Sequence, residues 1–214
     1  MVARPSVVLI VAASAALAVA GCGSSSKKSG TSGTGASASA TTSTTTTTAG
    51  TGSTSTNPPI VGAMVPVAYP TAGVRFSAPE GWRTQPGEPP LVATVQNGQV
   101  TIAVWRYPRD GEQLPVTHAA LQSAKVALVG AIKRRDPSFQ LTKAKLLHVG
   151  PERAVQVLGL GNVSGSRRNI RSTHIYAQGS EYVVDEYAPP TLFPRVDSQV
   201  FMPLIASVKI SPPK

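Results

Sequence analysis

Apolar and polar positions divide the chain into three stretches of different character. Residues 7–18 form an unbroken apolar run, residues 23–57 contain no large apolar side chain, and from residue 58 onward apolar positions recur with the periods of strands and helices. In this third stretch Val74-Arg75-Phe76-Ser77-Ala78 alternates as a short strand. Pro79-Glu80-Gly81 closes it in the manner of a type I turn, with Trp82 as a lid on the core. Asn97-Gly98 between two β-rich runs predicts a tight I′ hairpin. Pairing Gln96 with Gln99 then places Val95 with Val100, Ala93 with Ile102 and Leu91 with Val104 on one face. Leu121, Ala124, Leu128 and Ile132 recur at helical spacing, with Thr117 as N-cap and Asp136-Pro137 as the stop. Residues 141–149, 153–160, 169–177 and 181–188 read as four further strands, the last two joined by a turn at Gln178-Gly179-Ser180. Leu192, Val196, Val200, Leu204 and Ile205 predict a C-terminal helix that Pro203 must kink or divide. The fold class is α+β, a largely antiparallel sheet flanked by helices.

The opening run is too short to be a permanent anchor. Its 12 residues span about 18 Å as a helix, against roughly 30 Å of membrane hydrocarbon. With Arg4 ahead of it and Val19-Ala20-Gly21-Cys22 behind, it reads as a signal peptide over residues 1–21. That ending resembles the bacterial lipoprotein signal, in which a small apolar tripeptide precedes an acylated cysteine. The resemblance implies cleavage between Gly21 and Cys22, a diacylglyceryl thioether on Cys22, acylation of the new amine, and palmitate-type chains. It places the protein on the extracytoplasmic face of the cell membrane, held by lipid. Two or more acyl chains make such attachment durable. Cys22 is also the single cysteine, which excludes an internal disulfide and any Cys-rich metal site. Gly23 and Ser24 bring no acidic residue after it, so nothing marks retention in the inner of two membranes.

Residues 22–57 then form a Ser/Thr/Gly-rich tether that cannot bury enough apolar surface to order itself. As a flexible coil its 35 residues after Cys22 have a root-mean-square span of about 30 to 35 Å and a limit near 120 Å. Lys27 and Lys28 lie where acidic headgroups would attract them, and serve solubility equally well. The threonines at 44–48 suit O-linked sugars.

Residues 58–214 are enough for one domain with a real core. The whole chain carries a net charge of +10, and this segment holds 17 Lys and Arg against 10 Asp and Glu. Such an excess favours anionic surroundings: phospholipid headgroups, wall polymers or an acidic protein of the envelope. Nucleic acid is disfavoured, because no aromatic platform is interleaved with the arginines. Lys133-Arg134-Arg135 falls where a helix C-terminus welcomes cations. Arg167, Arg168 and Arg171 are the candidate anion-binding set.

No pattern demands a cofactor or a metal. His118, His148 and His174 are scattered and fit no ligand spacing. The glycines at 159, 161 and 165 are misplaced for a dinucleotide loop, lack a following Lys-Ser or Lys-Thr, and read as a hairpin connection. Ser164 lacks the spacing of a nucleophile elbow. One constellation stands out: any two-residue shift of the pairing between 169–177 and 181–188 keeps His174, Tyr176, Asp185 and Tyr187 on one sheet face. That set is a general acid/base group, an anion-sensitive pocket, or an amphipathic face whose polar tips reach water.

Val74-Arg75-Phe76-Ser77-Ala78-Pro79-Glu80-Gly81-Trp82 is similar to the strand, proline, glycine, tryptophan opening of PsbP-like domains. Tyr182-Val183-Val184, Phe201 and Ile205-Ala206-Ser207-Val208-Lys209 resemble the family's final hairpin and helix. Actinobacterial surface lipoproteins of the LpqN type pair such a domain with a lipid anchor. The resemblance implies an α/β/α sandwich and a non-enzymatic role in binding or assembly in the cell envelope, and it carries over no site residue. A small-ligand or lipid carrier, and a hydrolase using His174 with Asp185, are the alternatives.

Overall fold

Two-residue turns set the register of the main sheet. In the computed structural model, which describes residues 62–109 and 113–214, Ser164 with Gly165 and Gln178 with Gly179 all take positive φ. Both pairs therefore have the signature of I′ turns, whose twist matches that of the strands they join. They connect β7 (Glu152–Val163) to β8 (Ser166–Ala177), and β8 to β9 (Ser180–Ala188). Cys22, the leader and the Ser/Thr/Gly stretch lie outside the described residues.

Along the chain, β1 (Met64–Tyr69), β2 (Val74–Pro79), β3 (Arg83–Pro86), β4 (Leu91–Asn97) and β5 (Val100–Pro108) precede α1 (His118–Arg135). Then come β6 (Gln140–Val149), β7, β8 and β9, followed by α2 (Phe193–Val196), a π-helical turn (Asp197–Phe201), α3 (Met202–Ser207) and β10 (Lys209–Ile210). Seven strands form one antiparallel sheet in the order β3-β4-β5-β9-β8-β7-β6, and β1-β2-β10 form a second, smaller one.

The main core lies between these sheets. Val95, Ile102, Val104, Ile175, Tyr182 and Val184 of the large sheet meet Val74 and Phe76 of β2 and the row Val196, Val200, Phe201 and Leu204. Each such side chain contributes about 1.5 to 3 kcal/mol on burial. Polar staples fix the layers: the Tyr182 hydroxyl donates to the Ala72 carbonyl at 2.9 Å, and the Ser77 amide donates to Ser207 Oγ at 2.7 Å. The opposite face of the large sheet is more lightly covered. There α1 seats Leu121 against Val155 and Tyr176, while Ala124 and Leu128 are only half-buried. Thr117 caps this helix, accepting from the Ala120 amide at 3.2 Å.

Several sequence expectations shift in detail. Gly81 adopts φ +77°, the third-position geometry of a type II turn and not type I. In the β4–β5 hairpin only Gly98 takes positive φ, so the turn residues are Gly98 and Gln99 in a II′-like geometry. Gln96 then pairs with Thr101, two places on from the expected partner, and the apolar face survives because a two-residue slip preserves side. The expected 159–165 connection is mostly strand. A Cβ on Gly159 would sit 2.7 Å from the Gln140 carbonyl oxygen and collide with the Phe139 ring, so glycine there permits close packing rather than a loop. Pro203 divides the C-terminal helix as expected, standing in the first turn of α3 directly after the π turn. β1, β3 and β10 were not foreseen: Pro66 and Pro86 disguise two of them, and β10 has two residues.

Candidate functional site

The β8–β9 turn decides which side chains share a face. It pairs Ser172 with Asp185, His174 with Val183, Tyr176 with Glu181 and Ile170 with Tyr187. Cross-strand partners project to the same side, so His174, Tyr176, Asp185 and Tyr187 do lie on one face, the one that α1 partly covers. β5 extends it with Trp105 and Tyr107, opposite Val183 and Glu181, their rings stacked at 6.5 Å.

Hydrogen bonds join this face into a chain. His174 Nδ1 donates to Glu181 Oε1 at 2.6 Å, and the other Glu181 oxygen is paired with the Arg109 guanidinium. His174 Nε2 lies 3.1 Å from Ser172 Oγ, and the Ser172 hydroxyl donates to Asp185 Oδ1 at 2.5 Å. Tyr187 stands beside Asp185, two residues along the same face of β9. Burial raises the Glu181 carboxyl, but hydrogen bonds and charge from His174 and Arg109 outweigh it and hold the group at about 2. Burial, followed by the Asp185 charge, pushes the Tyr187 phenol well up.

The arrangement corrects the expected pair. His174 does not bond Asp185; its acid is Glu181, and Ser172 stands between ring and aspartate. Ser172-His174-Glu181 has the composition of a nucleophile relay, yet its protons run the other way. Because Ser172 gives its proton to Asp185, it has none to donate to Nε2, whereas a nucleophilic serine must donate to its histidine. Ser172, His174 and Glu181 are also buried. Sequence reasoning missed Ser172, Glu181 and Arg109. The parity that found His174 applies equally to the first two, while Arg109 enters from the loop after β5.

A second polar cluster sits within the main core. Arg171 holds Asp197 through two bonds, Nε to Oδ1 at 2.7 Å and Nη2 to Oδ2 at 2.6 Å. Its Nη1 donates to Gln156 Oε1 at 2.7 Å, and Gln156 donates to Thr173 Oγ1 at 2.9 Å. Glu186 lies beside them with no solvent exposure and no hydrogen bond to either oxygen, its nearest cation Arg171 Nε at 3.8 Å. Desolvation raises its carboxyl well above the ordinary glutamate range and more than offsets Arg171, so the site favours the neutral form of Glu186.

The three candidate anion-binding arginines therefore separate. Arg171 is corrected to a core residue, because Asp197 occupies its guanidinium. Arg167 reaches Ser138, donating to its carbonyl at 3.2 Å, and Arg168 donates to Gln99 at 3.0 Å. His118 begins α1 and His148 lies on β6, two strands from the β8 of His174, and both are exposed.

No protein-family model and no curated relative matches the sequence. Among solved structures, the chain is similar to the cyanobacterial PsbP protein CyanoP from Synechocystis, with 12% identity, a TM-score of 0.54, and coverage of 69% of this chain and 92% of that one. It also matches LpqN of Mycobacterium tuberculosis, described as involved in cell envelope biogenesis, with 18% identity, a TM-score of 0.48, and coverage of 70% and 86%. The long antiparallel sheet, the helix after β5 and the closing helical segment are thus those of the PsbP-like fold.

Proposed function

We propose that this chain is an exported lipoprotein, acylated at Cys22 and held at the outward membrane surface, whose PsbP-like domain binds or assembles other envelope components. Val19-Ala20-Gly21-Cys22 behind a short apolar run carries the reading. Residues 22–57 serve as the tether, and the basic balance of residues 58–214 favours anionic envelope partners. Among the described residues no helix is long and apolar enough to cross a membrane, which is consistent with attachment through lipid. The non-catalytic side of the reading is supported by the closure of the Arg109-Glu181-His174-Ser172-Asp185 chain, in which each group already satisfies its neighbour.

Mass spectrometry of the mature protein tests the anchor. The expected product starts at Cys22 with acyl chains on it, and Cys22→Ser should release the protein from membranes; a bare thiol or a retained leader would overturn the proposal. A hydrolase is the second reading, favoured by the 3.1 Å approach of Ser172 Oγ to His174 Nε2. A fluorophosphonate probe that labels the wild type but not Ser172→Ala would establish it in place of the binding role.

A further inference from the structure

The large sheet ends in two unlike edges. β3 has four residues and finishes at Pro86, whereas β6 runs for ten without a proline. The small sheet is similarly blunted, since β1 carries Pro66 and β10 is two residues long. β6 pairs with β7 alone, so its other row of amides and carbonyls faces outward. Beside this edge α1 leaves an open groove of about 400 Å³ lined by Lys125, Val126, Val129, Leu141, Lys143 and Ala144 among others. Val126 is 69% exposed and Leu141 39%, so two large apolar side chains stand in solvent together. No carboxylate lines the groove, and exposed Lys143 and Lys145 continue along one side of the strand.

We infer that β6 is a docking edge for an extended, acidic segment of a protein partner, added as an eighth strand. The backbone of such a segment satisfies the outward row of residues 143–149. Its alternate side chains divide by parity: those on the side of Ala144 and Leu146 enter the groove against Val126 and Leu141, and those on the side of Lys143 and Lys145 bring carboxylates to the lysines. A second copy of this chain is a poor occupant, because pairing β6 with itself sets lysines against lysines. The inference deepens the binding role proposed above and names its partner by chemistry.

The test uses the full chain carrying Cys22→Ser, so that it stays in solution, with three ten-residue probes: alternating Glu and Val, alternating Lys and Val, and the Glu/Val peptide N-methylated at every second residue. The expected result is saturable binding of the first alone, with hydrogen-exchange protection of amides within residues 143–149. Lys143→Glu with Lys145→Glu, and separately Val126→Asp, should each weaken it by about tenfold or more. No binding by the Glu/Val peptide, equal binding by the methylated one, or protection away from β6 would overturn the inference. So would binding only to vesicles containing phosphatidylglycerol, which would make the patch a membrane contact. Acylation of Cys22 and membrane retention are read independently, so failure here is separable from failure of the anchor.

Discussion

Glu186 and Arg171 share one cluster and pull stability in opposite directions. Burial without a hydrogen bond favours the neutral form of the Glu186 carboxyl, and the raised value has a definite sign of consequence. Below the ordinary glutamate range, near pH 4.5, the side chain is protonated whether the chain is folded or not, and there is no penalty. As pH rises above that range the unfolded chain ionises first, and the folded state loses about 1.4 kcal/mol per pH unit until the raised value is reached. Glu186→Gln should therefore match the wild type near pH 4 and exceed it increasingly as pH rises above that range in urea unfolding; a pH-independent difference would refute this. Arg171→Ser should cost about 3 kcal/mol at neutral pH, because it strands half-buried Asp197 and buried Gln156, and loss of less than about 1 kcal/mol would show the ion pair to be incidental. Neither role was legible in the sequence. Arg171 stands close to Arg167 and Arg168 in a run that reads as loop charge, and its partner Asp197 lies beyond the whole of β9.

At the scale of elements, local chemistry was the more readable. Thr117, Asp136-Pro137 and the 3.6-residue spacing fixed the bounds of α1, because caps and stops act within a few residues. Turn residues announced the β4–β5 and β8–β9 hairpins, but the geometry of the first depended on which residue took positive φ, and that was Gly98 and not Asn97. The glycines at 159 and 161 misled, since a glycine kept for close approach looks like a glycine kept for a turn. Gly159→Ala should destabilise the domain by about 1 to 3 kcal/mol through its conflict with Phe139 and the Gln140 carbonyl, measured by thermal or urea unfolding. Gly98→Ala, placed where a Cβ meets nothing, should cost only the strain of its positive φ; equal losses at the two positions would discount the packing argument.

For the molecule as a whole, the α+β class and the placement of His174, Tyr176, Asp185 and Tyr187 on one face followed from periodicity, but the bonding pattern did not. Parity gives a face; distances decide that Glu181 and not Asp185 holds the imidazole. Glu181 also has a global signature. Its carboxyl is held at about 2, below the ordinary value, so it adds stability above roughly pH 4.5 that is lost as pH falls toward 2, on the order of 3 kcal/mol. Glu181→Gln should lower neutral-pH stability and flatten the acid limb of the unfolding profile; an acid limb of unchanged steepness would remove Glu181 as its cause. The small sheet adds a mechanical consequence. β1 is bonded by its backbone to β2 alone, and its leading residue, Met64, sits opposite Pro79 at the open end of the ladder. Tension arriving from the preceding chain therefore meets one pair at a time, like a zip, and β1 should peel away at low force while the seven-stranded sheet stays intact.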